Sequence, residues 1–173
     1  MESMRPTLPD RAAQPAGQEP IRRERLGPWR ELLVMPNQRT VLLRPIDPRD
    51  AEPLRAAFAT LSAEEVRFRF MHPIKEMSPE LAHSLTVLDP ATSFALAVSE
   101  PEPPGEGLVG AVARASIAPD SDVAEFALIV ARPLSRMGLG MLLMKRIIEW
   151  CRRKHLRAVY GNILPENDGT LPT

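Results

Sequence analysis

The fold is decided by residues 124–148, which run AEFALIVARPLSRMGLGMLLMKRII. The start of this stretch is apolar apart from Glu125, a pattern that predicts a strand over residues 123–131 buried on both faces. Gly138 and Gly140 then form a turn, and the apolar residues beyond them recur at helical spacing. A helix that opens on such a turn predicts an anion site made of backbone, because the N–H groups of its first turn are free and its dipole favours negative charge.

The elements that follow the turn predict an α/β fold. A helix is predicted over residues 139–154 and a last strand over residues 157–163. A helix that connects two strands of one sheet forms a crossover, which is normally right-handed. One stripe of the helix is apolar and is predicted to be core: Leu139, Leu143, Ile147, Trp150 and Cys151. The charged residues off that stripe are predicted to be solvated: Lys145, Arg146, Arg152, Arg153 and Lys154.

The chain upstream predicts the rest of the sheet and two helix starts. Residues 29–45 predict a hairpin, because a Pro-Asn-Gln turn separates two apolar stretches. Asp47 and Ser78 each precede a proline, and a capping side chain followed by proline is typical of the first turn of a helix. Further strands are predicted over residues 92–99 and 108–117, on either side of a loop rich in proline and glycine.

Length and composition predict one domain. Residues 1–28 hold five prolines and few large apolar residues, so a disordered tail is predicted there, followed by a domain over residues 29–173. The 22 basic and 22 acidic residues cancel, which argues against a nucleic-acid binder. One cysteine and three scattered histidines predict no disulfide and no metal site. With no apolar run near about 18 residues, no membrane span is predicted, and the expected location is cytoplasmic.

The two glycines alone leave the ligand open. A Rossmann site needs a third glycine where Leu143 stands, and a Walker site needs a Gly-Lys-Ser/Thr sequence that the chain lacks. A phosphate-binding turn and a turn that needs glycine for packing only both remain open at this point.

At these residues the chain resembles the GNAT superfamily of N-acetyltransferases. The acetyl-CoA motif of that family is Gln/Arg-x-x-Gly-x-Gly/Ala at a strand-to-helix turn, and residues 135–140 of this chain are SRMGLG. Both glycines match, whereas Ser135 stands where the family has Gln or Arg. Arg136, and Arg132 before it, are candidates to supply the missing phosphate contact.

The resemblance extends over about residues 38–167. The sequence LRPI at residues 43–46, followed by Asp50, is similar to the first strand and helix start of the family. The sequence LSAEEVRFRF at residues 61–70, followed by His72 and Pro73, resembles the subgroup of bacterial protein-lysine acetyltransferases, which are often joined to acyl-CoA synthetase-like domains.

The resemblance implies a mixed, mostly antiparallel sheet flanked by helices, with acetyl-CoA as co-substrate and no metal. It implies direct attack of an amine, such as a protein lysine, on the thioester. The backbone of three strand residues would pair with the pantetheine amides: Leu128, Ile129 and Val130. The turn would hold the pyrophosphate through Arg136, Met137, Gly138, Leu139, Gly140 and Met141, and Asn167 would also contact acetyl-CoA.

Glu125 is the candidate catalytic base, because members of the subgroup often carry an acidic residue at this place in the strand. A carboxylate enclosed by an apolar wall would have a raised pKa and would suit proton abstraction from the amine. The alternative is that Glu125 points to solvent from the other face of the strand.

The family continues past this point with a helix and two strands, which this chain lacks. It ends in NDGTLPT at residues 167–173, and its one tyrosine, Tyr160, lies inside the preceding strand, so no general acid is identified. We therefore expect a shortened product or a chain completed by a partner, such as a second copy, with weak acetyl-CoA binding and poor turnover. A small-amine acetyltransferase and a non-catalytic acyl-CoA-binding module remain the alternatives.

Overall fold

The structure, a computed structural model, describes residues 20–59 and 77–161. These residues form one seven-stranded sheet in which the strands are ordered as they occur in the chain. The strands are β1 (Arg22–Gly27), β2 (Arg30–Val34), β3 (Thr40–Pro45), β4 (Ser93–Ser99), β5 (Val109–Ile117), β6 (Val123–Val130) and β7 (Ala158–Gly161). Three α-helices accompany them: α1 (Ala51–Phe58), α2 (Pro79–Thr86) and α3 (Leu139–Arg153).

Neighbouring strands from β1 to β6 are antiparallel, and β6 and β7 are parallel. The parallel pair confirms the predicted crossover through α3, and the mixed, mostly antiparallel sheet confirms the predicted fold class. α3 packs against β4 to β7 on one face, whereas α1 packs against β5 from the other face. Among the described helices, none is long and apolar enough to cross a membrane.

The main core lies under α3, and the predicted apolar stripe of this helix is buried as a whole. It packs over three small residues of β5, Ala111, Ala113 and Ala115, which let the helix approach the sheet closely. Trp150 stacks on Phe94 with ring centroids 5.3 Å apart. Cys151 is buried in this core, and burial raises the pKa of its thiol.

One residue of the predicted solvated face of α3 is not solvated. Arg146 donates two hydrogen bonds to the carboxylate of Glu31 on β2, at 2.6 Å from Nε and 3.0 Å from Nη2. This contact raises the pKa of Arg146 and connects the middle of α3 to β2, near one edge of the sheet. The periodicity of the helix could not show it, because the two residues lie 115 positions apart.

The predicted boundary of the disordered tail is wrong at its downstream end. Residues 22–27 form β1, which pairs with β2 in a register that places Arg22 opposite Val34. The strand is nearly all exposed, so backbone pairing holds it, with little apolar burial. The composition of the segment therefore did not predict it. Residues 1–19 lie outside the described residues.

The prediction that the third apolar strand is buried on both faces is also wrong. Along β6 only Ala124 and Leu128 are buried, and they lie on the α3 face. The residues of the other face are partly or fully exposed, because α1 covers β5 there and makes few contacts with β6 among the described residues.

An ion pair fixes α1 to the sheet. Arg44, on β3, donates to both carboxylate oxygens of Asp50 at 2.7 and 2.9 Å, and both side chains are about as buried as the core, 2% and 1% exposed. Asp50 also accepts the backbone N–H of Asp47 at 2.8 Å. Asp47 caps the 3-10 turn Pro48–Asp50 that leads into α1, which confirms its predicted capping role.

Replacing Arg44 by methionine should destabilise the fold strongly. The substitution leaves the Asp50 carboxylate buried without its partner, and the free energy of unfolding should fall by about 3–5 kcal/mol in a urea titration. Arg49→Met is the matched control, because Arg49 pairs with Asp47 at the surface, where its side chain is 66% exposed. It should leave the unfolding midpoint nearly unchanged, and equal losses in the two variants would contradict this account.

Candidate active site

The turn before α3 depends on two residues with left-handed backbone. Arg136 has a φ of 62° and Gly138, the N-cap residue of the helix, has a φ of 90°. Glycine adopts this conformation without the steric cost that a side chain carries. The 3-10 turn Arg132–Leu134 leads into it, and the hydroxyl of Ser135 closes that turn by donating to the carbonyl of Arg132 at 2.8 Å.

The first turn of α3 presents unused backbone donors. The first N–H to donate within the helix is that of Leu142, to the carbonyl of Gly138 at 3.2 Å. Among the described residues, the N–H groups of Leu139, Gly140 and Met141 have no acceptor, and no side chain caps the helix. These donors lie at the positive end of a 15-residue helix, so the turn is suited to bind an anion.

Gly140 separates the two interpretations of the glycine turn. A Cβ atom at this position would meet only the Cδ2 atom of Leu128, at the ordinary contact distance of 3.5 Å. Packing therefore does not require a glycine here. An unfilled space beside free N–H groups is what close approach of a phosphate needs, and this favours the ligand interpretation.

The predicted turn residues differ in what they can offer a ligand. Arg136 is exposed and makes no ion pair among the described residues, so its guanidinium is available. The side chains of Leu139 and Met137 pack into the core, which leaves only their backbone for binding. Met141 is 62% exposed.

The side of β6 that faces β7 is open along residues 127–130 within the described part of the chain. The parallel register of β6 with β7 ends at the pair of Phe126 and Gly161. Within the described residues, positions 127–130 have a strand partner on the β5 side only. The backbone of Leu128, Ile129 and Val130 could therefore pair with an extended ligand, as the family resemblance implies.

Glu125 lies on the face of β6 opposite α3, because its neighbour Ala124 is buried under that helix. It stands between Ser116 on β5 and Tyr160 on β7. Glu125 is exposed, so the prediction of a carboxylate enclosed by an apolar wall is wrong, and the alternative of a side chain on the other face is confirmed. Its catalytic role stays a prediction.

The sequence analysis missed Arg114, which lies on β5 on the same face as Glu125. Its Nη1 atom donates to the carbonyl of Leu85 at 3.3 Å, and burial lowers its pKa. A single arginine inside the otherwise uncharged strand VGAVARASI was the signal for it. Asn167 and residues 61–73, which also carried site predictions, lie outside the described residues. Within residues 20–59 and 77–161, no group of three metal-ligating side chains occurs.

Comparison with known proteins identifies the class that this sheet and turn define. Residues 40–171 match the family described as Acetyltransferase (GNAT) domain. This match covers most of the chain, and the chain therefore belongs to the GNAT acetyltransferase family.

Individual relatives agree with this assignment. The chain is 32% identical over 123 residues to an acetyltransferase of Pseudomonas aeruginosa, a match that covers 71% of this chain and 66% of that protein, just under two thirds of its length. Its fold is similar to that of the GNAT domain of S. lividans PAT, with a TM-score of 0.70, 25% identity and 84% of each chain covered. This similarity confirms the predicted resemblance to the subgroup of bacterial protein-lysine acetyltransferases.

A second solved structure supports the fold alone. The cAMP-binding acyltransferase from Mycobacterium smegmatis aligns with a TM-score of 0.53 at 21% identity. The alignment covers 86% of this chain and 40% of that protein.

Alanine substitutions at the two glycines should have different effects. Gly140→Ala should leave stability unchanged, because the added methyl group has room, but should weaken acetyl-CoA binding about tenfold by displacing a phosphate from the N–H groups. Gly138→Ala should also lower the free energy of unfolding, by about 1–2 kcal/mol, because its φ is left-handed. Calorimetric titration and urea unfolding measure the two effects, and unchanged affinity in Gly140→Ala would support the packing interpretation.

Proposed function

We propose that this chain is an acetyl-CoA-dependent N-acetyltransferase that acetylates a primary amine, with a protein lysine as the acceptor. The observation that carries the proposal is the turn before α3, where three free N–H groups meet the space left by Gly140. Membership of the GNAT acetyltransferase family supports the reaction class.

The residues that would bind acetyl-CoA form a continuous path from the turn before α3 along β6. The pyrophosphate would bind the N–H groups of Leu139, Gly140 and Met141, with the exposed guanidinium of Arg136 as a further donor. The pantetheine arm would lie along the open side of β6 at residues 128–130. This path leads from the turn toward Glu125, which lies five residues before the end of the strand, about 16 Å away.

The proposed reaction needs one base and no acyl-enzyme. The amine nitrogen attacks the thioester carbonyl carbon, a C–N bond forms, the C–S bond breaks and the thiolate leaves. Glu125 takes the proton that the amine loses, directly or through water. Its exposure lets it pass that proton on to solvent. Cys151 takes no part, because it is buried between α3 and the sheet, on the face opposite Glu125.

A protein acceptor is supported by two features. The fold resembles the GNAT domain of S. lividans PAT, and Glu125 lies at an exposed surface where a lysine on a large partner can reach it. Relatives in bacteria support a bacterial source, and the use of acetyl-CoA supports a cytoplasmic location. A small amine remains the competing acceptor, since the fold does not select it.

Replacing Glu125 tests the proposal. Glu125→Gln should lower turnover by about 10²-fold or more while acetyl-CoA affinity stays unchanged, because it removes the base and leaves the turn intact. The remaining rate should rise with pH as more of the acceptor amine loses its proton to solvent.

Glu149→Gln is the matched control, because Glu149 is a surface carboxylate of α3 that pairs with Arg153. It should turn over like the parent. Equal activity in Glu125→Gln and the parent would refute the role of Glu125. A parent that binds acetyl-CoA but acetylates neither lysine peptides nor small amines would favour the non-catalytic module.

A further inference from the structure

Arg114 lies at the edge of a small apolar cavity on the face of the sheet that carries Glu125. The cavity has a volume of about 50 Å³ and lies between β5, β6 and the helices α1 and α2. Its walls are apolar apart from Arg114: they include Leu54, Phe58, Met77, Leu85, Val112 and Ile129.

Arg114 has no ion-pair partner among the residues that the structure describes. Among the described residues its only hydrogen bond is the one to the carbonyl of Leu85, and it forms no ion pair with a carboxylate. Arg44 and Arg146, which are also largely buried, differ in this respect, because Arg44 is paired with Asp50 and Arg146 with Glu31. Burial without an opposite charge is costly, and it lowers the pKa of Arg114. A guanidinium has five N–H donors, so most of its donors are left for a ligand.

The strand register places Arg114 next to Glu125. Arg114 pairs with Ala127, and Glu125 lies two residues before Ala127 on the same face of β6. Such diagonal neighbours have Cβ atoms about 7–8 Å apart, which side chains of this length can span. An acceptor whose amine reaches Glu125 can therefore also reach the guanidinium, at about the spacing of residues two positions apart in an extended peptide, whose side chains point the same way.

We propose that Arg114 is a specificity-determining residue that binds a carboxylate of the acceptor, so that the chain prefers lysines with an acidic residue two positions away. The inference rests on the proposed function, since it concerns the acceptor of that same reaction. Arg114 acts on binding of the acceptor and takes no part in proton transfer. Its bond to Leu85, near the carboxyl end of α2, holds the guanidinium in place beside the cavity.

Two capped peptides that differ in one group test the preference. They have the sequences Glu-Gly-Lys-Gly-Gly and Gln-Gly-Lys-Gly-Gly, so that the second lacks only the charge. The parent should favour the Glu peptide about tenfold in kcat/KM, through a lower KM, as one charge-assisted hydrogen bond predicts. Arg114→Gln should reduce that ratio to about one, because kcat/KM should fall for the Glu peptide and stay unchanged for the Gln peptide. Arg114→Lys should restore part of it, because the charge is kept.

Two controls separate recognition from a structural role. Arg157→Gln removes an exposed arginine that pairs with Asp122 and should keep the tenfold ratio. If Arg114 served only to hold α2, its loss would reduce the rates with both peptides equally and lower the melting temperature, and the ratio would persist. That outcome overturns the proposal.

Calorimetric titration with the same peptides tests the carboxylate subsite even if the chain shows no turnover. Tighter binding of the Glu peptide that Arg114→Gln abolishes, in a chain without turnover, would support the carboxylate subsite and refute the proposed function. Turnover of both peptides at equal kcat/KM would support the proposed function and refute the subsite. If the chain shows no turnover and binds the two peptides equally, both the proposed function and the subsite are refuted.

Discussion

The buried ion pair of Arg44 and Asp50 is the constraint on which the second face of the sheet depends. It joins the end of β3 to the start of α1 through two short hydrogen bonds, and Ser99 on β4 accepts a third from Arg44 at 3.3 Å. Burying a charge is costly unless the charge is paired and hydrogen-bonded, so this ion pair favours the arrangement of strand and helix in which both of its hydrogen bonds form. α1 in turn packs against α2, and together they form the wall of the cavity beside Arg114.

The other face is organised by packing, and it fixes the turn. The apolar stripe of α3 lies on the alanines of β5, and the contact of Arg146 with Glu31 prevents the helix from sliding along the sheet. The N-terminus of α3 is therefore held relative to the end of β6. Rigid placement matters because backbone donors stabilise a ligand most when they are oriented before it arrives.

The sequence predicted those parts of the fold and site that depend on local patterns. The Asp47-Pro48 and Ser78-Pro79 starts, the stripe of α3 and the glycine turn each follow from residues within one turn or strand of each other. The exposed strand β1 was missed because hydrogen bonds to β2 hold it and its side chains carry no apolar pattern.

The surroundings of individual charges could not be predicted for a related reason. Arg146 meets Glu31 only after the sheet and helix have packed, and the exposure of Glu125 depends on which strand α1 covers. Among the described residues Arg114 has no carboxylate partner, a property that no sequence pattern records. Periodicity thus predicted where side chains point, whereas tertiary packing decided what they meet.

The order of the strands also has a consequence for how the molecule is assembled. From β1 to β6 each strand pairs with its neighbour in the chain, so these contacts can form by successive closures of the intervening loops. The parallel pairing of β7 with β6 instead requires that α3 first cross the sheet. We expect a nascent chain to pair strands β1 to β6 before it forms the ligand-binding turn at α3. Ligand binding should therefore report late folding more faithfully than strand content does.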